Sequence, residues 1–287
     1  MDILAEARQA TKVFGTFTAV SAVDLTVGYG EVVGLLGANG AGKTTLIRLL
    51  LGLLRPSRGD VRLFGSPPSR ATRRHVGYVP QTLGLYAGLT VAENWAFTAA
   101  AFRMPATPVP EVISIRKNEL VAGLSLGAQR QVAFAVALSH RPELLILDEP
   151  TSGVGPLGSA RLWEEIRQAA SRSAGVLVTT HNMEEAGQCD RLVVMADGRV
   201  VASGTAAGIT GGRQAAEVRC DHRDRAFALL DAASFPVQVH GETLRVGGAA
   251  SAVAELLSRS GIDAAVKIVP ANLEEAFVDI VTQPAAG

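Results

Sequence analysis

Nine consecutive residues, Gly37-Ala38-Asn39-Gly40-Ala41-Gly42-Lys43-Thr44-Thr45, set the strongest limit on how this chain folds. They satisfy the pattern G-x-x-x-x-G-K-[ST] in full. Before them, the apolar run Glu31 to Leu36 reads as a buried strand; after them, the leucine- and isoleucine-rich run Thr45 to Leu54 reads as a helix. Glycines let the backbone wrap an anion with successive N–H groups pointing inward, and the helix N-terminus adds positive potential. Gly37, Asn39, Gly40, Ala41, Gly42 and Thr45 are therefore expected to line a phosphate cradle. Lys43 would reach the β- and γ-phosphates of a nucleotide, and the Thr44 hydroxyl would ligate Mg²⁺.

The run Leu144-Leu145-Ile146-Leu147-Asp148-Glu149-Pro150 adds chemistry to that loop. Four successive aliphatic residues suit a central parallel strand buried on both faces. An α/β sheet presents its functional groups at the C-terminal ends of such strands. Asp148 would then hold Mg²⁺ through water. Glu149, one residue further out, would face the γ-phosphate and polarise an attacking water as general base.

Taken in order, the motifs resemble the nucleotide-binding subunit of an ATP-binding-cassette (ABC) transporter. Gln81, in Tyr78-Val79-Pro80-Gln81, is similar to the family's glutamine loop, which touches Mg²⁺ and the membrane partner. Leu124-Ser125-Leu126-Gly127-Ala128-Gln129-Arg130-Gln131 resembles the signature that completes a partner subunit's ATP site, through Ser125 and the Gly127 backbone. His181, in Val178-Thr179-Thr180-His181, matches the switch histidine at the γ-phosphate. Phe14 matches the aromatic that stacks on adenine, with Phe17 as its rival. Ser152-Gly153-Val154-Gly155-Pro156 matches the D-loop. The resemblance covers roughly the first two-thirds of the chain, and five ordered motifs are far more specific than any one. Within the family, Thr180-His181-Asn182-Met183-Glu184-Glu185-Ala186 and Cys189-Asp190-Arg191 are similar to single-cassette subunits of drug and antibiotic exporters.

What the resemblance implies is specific. ATP and Mg²⁺ would be bound, with Thr44, Gln81 and Asp148 at the metal and Gln81, Glu149 and His181 in hydrolysis. A second cassette, as a homodimer, would close the open side of the site. An integral membrane permease on a separate chain would carry the cargo. Three departures bear on this: Leu126 and Ala128 stand where glycine and glutamine are usual, Gly155 replaces the D-loop aspartate, and only 44 positions separate Gln81 from Ser125. That last interval normally holds a longer helical subdomain, and here it includes Pro105, Pro108 and Pro110.

Composition narrows the alternatives. Formal net charge is zero, which argues against a dedicated nucleic-acid or anionic-membrane surface. Two cysteines, Cys189 and Cys220, make neither a metal spacing nor a disulfide framework, as expected in a reducing cytosol. Charges within the first eight residues argue against a signal peptide, and no window approaches the run of about 20 apolar residues that spans a bilayer. The expected location is the cytoplasmic face of a membrane, reached through a partner. His75, His140, His222 and His240 have no motif context, and Trp95 and Trp163 read as core residues.

The expected fold is α/β. A P-loop NTPase cassette, residues 1–208, combines a mixed sheet with an antiparallel β subdomain and a shortened helical subdomain. Glycine and small residues from Gly204 to Gly212 read as a linker. A small α+β, ferredoxin-like domain follows at 213–287, from the order strand, helix, strand, strand, helix, strand and a last helix. The expected function is an ATP-hydrolysing transporter subunit for export. The alternatives are a soluble cassette ATPase acting on ribosomes or DNA, and a weakly hydrolytic regulatory cassette. A GTPase is disfavoured because no N-K-x-D motif occurs.

Overall fold

Residues 2–105 and 108–282 are described by a computed structural model. The chain divides into two compact units between Val200 and Val201. In the first, the elements run β1 (Ile3–Phe14), β2 (Phe17–Gly28), β3 (Val32–Leu36), α1 (Lys43–Leu50), β4 (Arg58–Leu63), β5 (Val76–Val79), α2 (Val91–Phe102) and α3 (Glu111–Ser114). They continue with α4 (Leu126–Leu138), β6 (Leu144–Asp148), α5 (Pro156–Ser171), β7 (Gly175–Thr180), α6 (Met183–Ala186) and β8 (Arg191–Ala196); β9 (Arg199–Gly204) crosses the division.

Uninterrupted apolar runs become the central strands. Every residue of β3, β6 and β7 is buried, as parallel strands covered on both faces must be. The six-stranded sheet has the order β5-β6-β7-β3-β8-β9, and β5–β6, β6–β7, β7–β3 and β3–β8 are parallel. Because β6, β7 and β3 are neighbours, the three loops that leave their C-terminal ends emerge side by side. The register places Asp148 opposite Thr179 and Leu36 opposite Thr180. Sequence order therefore becomes spatial convergence through this strand order alone.

A separate antiparallel sheet, β2-β1-β4, follows from the alternating pattern of the first 28 residues. The apolar side of α1 (Leu46, Ile47, Leu49, Leu50) joins one core with Leu4, Val61 and Leu63 from this sheet and Val33, Leu35 and Ile146 from the other. That burial anchors the helix whose first residue is Lys43. A smaller cluster, Val91, Trp95, Ile113, Val121, Leu124 and Val132, holds α2, α3 and α4 together. Thr90 and Glu93 start α2 with a reciprocal capping box. Trp163 is buried on α5, as expected.

The second unit continues with α7 (Ala206–Thr210), β10 (Gln214–Arg219), α8 (Arg223–Ala232), β11 (Val237–His240), β12 (Thr243–Gly247), α9 (Ala250–Arg259), β13 (Ala265–Pro270) and α10 (Leu273–Thr282). Its strands form one antiparallel sheet, β11-β12-β10-β13. Ala216, Val218, Leu244 and Val246 meet Leu230, Val253 and Leu257 of the helices in its core. The expected linker is corrected here: α7 lies inside Gly204–Gly212. Thr205 Oγ1 accepts from the Gly208 N–H at 3.0 Å and caps α7, while Ile209 is buried. Alanine's helix preference and this cap outweigh the two glycines that follow.

Candidate functional site

The phosphate loop needs its glycines for steric reasons that the fold makes explicit. Gly42 has φ 100°, and an added Cβ would lie 2.5 Å from the Ala19 carbonyl of β2. A Cβ at Gly37 would collide with the Met195 carbonyl of β8. The loop is thus pressed between the β1–β2 hairpin and the end of β8, and only glycine fits. Gly42 caps α1 without a side-chain bond, so the helix's first amides are left to the loop interior.

Lys43 is buried within this cradle. Its Nζ donates to the Gly37 carbonyl at 2.7 Å and the Ala38 carbonyl at 3.1 Å, curling back along the loop. Burial pulls its pKa below the ordinary lysine value, against the opposing pull of Glu149 and Asp148. A cation so placed is poorly compensated by neutral carbonyls alone. A polyphosphate would offer it better partners.

The acids sit at the end of β6. Asp148 Oδ1 accepts from the Thr179 hydroxyl at 2.8 Å, while Asp148 Oδ2 is buried with no protein partner. The Glu149 N–H donates to the same Thr179 Oγ1 at 2.8 Å. Glu149 has φ 51°, an uncommon left-handed conformation for a residue with a side chain. That turn brings its carboxylate to Gln81, whose Nε2 donates to Oε2 at 3.2 Å, and to His181, whose Nδ1 lies 3.6 Å from Oε1. The loop after β7 is itself fixed. Thr180 donates to Glu185 at 2.7 Å and accepts from the Asn182 N–H at 3.0 Å, so His181 leaves the sheet on a held backbone.

Gln81, Asp148, Glu149 and His181 are therefore brought together beside the cradle that holds Lys43, Thr44 and Thr45. Ser125 and Gly127 stand apart: among the described residues, no hydrogen bond joins them to residues 37–45. Ser125 instead caps α4, with Oγ accepting from the Ala128 N–H at 3.4 Å, and Gly127 has open space above it. Phe14 and Phe17 pair at the tip of the β1–β2 hairpin and are 46% and 64% exposed, both open to a planar ligand. Lys12 Nζ lies 5.2 Å from the Phe14 ring centre. Gly155 caps α5 with no side chain and nothing within 4 Å of an added Cβ.

Two residues here were not anticipated from the sequence. Thr179 orients both acids, and its signal was a polar residue ending an apolar run two positions before His181. Arg130 is buried on α4 and donates Nη1 to the Glu149 carbonyl at 3.0 Å. Its signal was an arginine on the α4 stretch whose neighbours Val132 and Ala133 are core.

Among the described residues, no group of three or more His, Cys, Asp or Glu is arranged to hold a metal. A divalent cation would thus rely on few protein oxygens and on phosphate oxygens of a bound nucleotide, as Mg²⁺ does. The unpartnered Asp148 Oδ2 and the Thr44 hydroxyl fit that requirement.

Comparison with known proteins agrees with this geometry. Residues 20–152 match the ABC transporter family profile. The chain is 37% identical over 293 residues to Nod factor export ATP-binding protein I of Burkholderia lata, covering 94% of both chains. It is 39% identical over 213 residues to the Escherichia coli K12 protein named "Probable multidrug ABC transporter ATP-binding protein YbhF". That match covers 70% of this chain and spans only 37% of the length of YbhF. Among solved structures, the ATP-binding subunit of an ABC transporter aligns with TM-score 0.67 and 31% identity, over 72% of this chain and 91% of that one. A bacterial ABC transporter cassette solved as a dimer shares the fold, with TM-score 0.64 and 22% identity over 70% of this chain and 98% of that one.

Proposed function

Because this chain belongs to the ABC transporter family of ATP-binding proteins, we propose that it powers export of a small molecule through a membrane permease carried on a separate chain. The single observation that carries the proposal is the meeting of Gln81, Glu149 and His181 beside Lys43 and the unpartnered Asp148 Oδ2.

In this reading the loop amides and Lys43 hold the phosphates of ATP, and Phe14 or Phe17 stacks on the adenine. Mg²⁺, held by Thr44, Asp148 and Gln81, would supply charge neutralisation at the phosphates. Glu149 accepts a proton from the attacking water, and Gln81 and His181 hold its carboxylate in place while His181 faces the γ-phosphate. Thr179 keeps both acids at the strand end. Electrostatic positioning of this kind is the main source of phosphoryl-transfer catalysis.

A second copy completes the site. Ser125 is exposed and Gly127 half-buried at the N-terminus of a 13-residue helix, and among the described residues no hydrogen bond joins them to their own phosphate loop. Offered to a second copy's γ-phosphate, they would make ATP the bond between two cassettes. Opening and closing of that pair would drive the permease. Among the described residues no helix is long and apolar enough to cross a membrane, which suits a subunit held at the cytoplasmic face by its partner. Zero net charge supports the transporter reading over action on nucleic acid.

We assign residues 1–208 to the cassette and 213–287 to an accessory domain. Its strand order supports a ferredoxin-like reading. A second functional reading, weak hydrolysis in a regulatory role, is favoured by one observation: Gly155 places no carboxylate where the D-loop usually has one. Reconstitution in vesicles with a candidate membrane permease tests the proposal. ATP-dependent efflux that Lys43→Ala abolishes is expected. Efflux unchanged in Lys43→Ala would refute it.

A further inference from the structure

We propose that Arg130 is a positioning residue that ties helix α4, and with it Ser125, to the backbone of Glu149. The inference rests on the site reading given above and adds a link within one subunit between its own acid and the surface it offers a second copy.

Arg130 is only 5% exposed. Its Nη1 donates to the Glu149 carbonyl at 3.0 Å, while Nε is buried with no protein partner. Among the described residues, no carboxylate lies within ion-pair distance of it. A guanidinium buried on such terms is a poor choice for stability, since a hydrocarbon of similar volume would pack without the desolvation cost. Packing therefore gives no reason for an arginine at this position. Burial lowers its pKa, and the charge opposing that shift is Glu149.

Glu149 is the residue that most needs holding. With φ 51° its backbone lies in a sparsely populated region, which persists only where its surroundings fix it. Thr179 holds the N–H and Arg130 holds the carbonyl. Together these bonds set the two peptide planes flanking Glu149, and hence the direction of the carboxylate.

The other end of the link is the start of α4. Ser125 caps that helix, and Arg130 lies five residues on, about 7.5 Å along the axis. Movement of the α4 N-terminus when it meets a second copy's phosphate is thereby passed to the Glu149 carbonyl. Leu126 packs where a side chain at Gly153 would sit, so the loop after β6 moves with the same helix end.

Purified Arg130→Met, Arg130→Lys and Glu149→Gln, assayed against wild type, test the link. For Arg130→Met, loss of one charge-assisted hydrogen bond predicts a fall of about tenfold or more in kcat. KM for ATP is expected to stay within about twofold and the melting temperature not to fall. Arg130→Lys, which keeps a donor, is expected to recover part of kcat. Wild-type kcat in Arg130→Met beside an inactive Glu149→Gln would overturn the link and leave the site assignment standing. A fall in kcat matched by a proportional loss of melting temperature and ATP affinity would overturn it too, in favour of a purely structural role. Full activity in Glu149→Gln would overturn the site assignment itself, and the link with it.

Discussion

The side-chain amide of Gln81 donates to Glu149 Oε2 at 3.2 Å, joining positions 68 residues apart in the chain. The contact exists because β5 and β6 are parallel neighbours, with Val79 opposite Leu147, so both residues leave the sheet at the same edge. The segment after Gln81 runs directly into α2. Anything that shifts the helical part of the cassette therefore acts on Glu149 from one side through Gln81, and from the other through Arg130 on α4.

Thr179 is expected to be as important as the acids it orients. Thr179→Val keeps the shape but strands the buried Glu149 N–H and frees Asp148 Oδ1. The expected cost is about 1–3 kcal/mol of stability, with a drop in turnover larger than the loss of ATP affinity. Urea unfolding and steady-state ATPase assays check it. Wild-type turnover in this variant would mean that the acids are positioned without the hydroxyl.

Gly155 is open to replacement. It caps α5 with no side chain, and an added Cβ meets nothing, so aspartate fits and supplies a favoured N-cap. Gly155→Asp should gain a few tenths of a kcal/mol in stability. Turnover of the assembled transporter should rise about two- to tenfold if the carboxylate also reaches the dimer interface. A gain in melting temperature with unchanged turnover would assign the acid to the helix cap alone.

His140 predicts a pH dependence of stability. Its Nε2 lies 3.1 Å from the Val76 carbonyl, which can only accept, so Nε2 carries the proton and the buried Nδ1 is a bare lone pair. Protonating Nδ1 would create a buried, unpaired donor, and burial accordingly pushes the pKa below 6.5. The unfolded chain then takes up the proton first. Stability is full above about 6.5, falls as pH drops through that value, and levels off below the lowered folded value. His140→Gln should flatten that part of a stability-versus-pH curve. An unaltered slope would move the effect to another group.

Much of the site was legible because each motif ends or begins an element of obvious pattern. Gly37 to Thr45 sits between a buried strand and a helix, and Asp148, Glu149 and His181 end or directly follow strands with apolar runs that are buried throughout. Strand order did the rest, and no periodicity encodes it: β3, β6 and β7 become neighbours only through packing. Thr179 and Arg130 were missed because their roles depend on register and burial, which a single sequence does not display. Glycine content points to a linker over Gly204 to Gly212, but the Thr205 cap that starts α7 outweighs that signal.

The second unit should be dispensable for nucleotide binding. Every candidate phosphate-contacting residue lies upstream of Val200, and the second unit has its own core around Val218, Leu244 and Leu257. A chain ended after Gly212 is expected to stay soluble and bind ATP as tightly as the full chain, as judged by fluorescent-nucleotide titration. Insolubility or loss of binding would show that the two units are not separable.

Glu149→Gln is the most direct test of the account. The substitution keeps size and polarity but removes the base, so ATP affinity should match wild type while turnover falls about a hundredfold or more. Lys43→Ala, which removes the phosphate contact, should instead lose ATP binding. Single-turnover hydrolysis measured beside equilibrium ATP binding, with size-exclusion chromatography for the trapped dimer, reads both quantities on one preparation. The account predicts normal binding, hydrolysis slowed about a hundredfold or more and an ATP-dependent dimer for Glu149→Gln. Hydrolysis at the wild-type rate would contradict it, because Glu149 would then not be the group that accepts the proton.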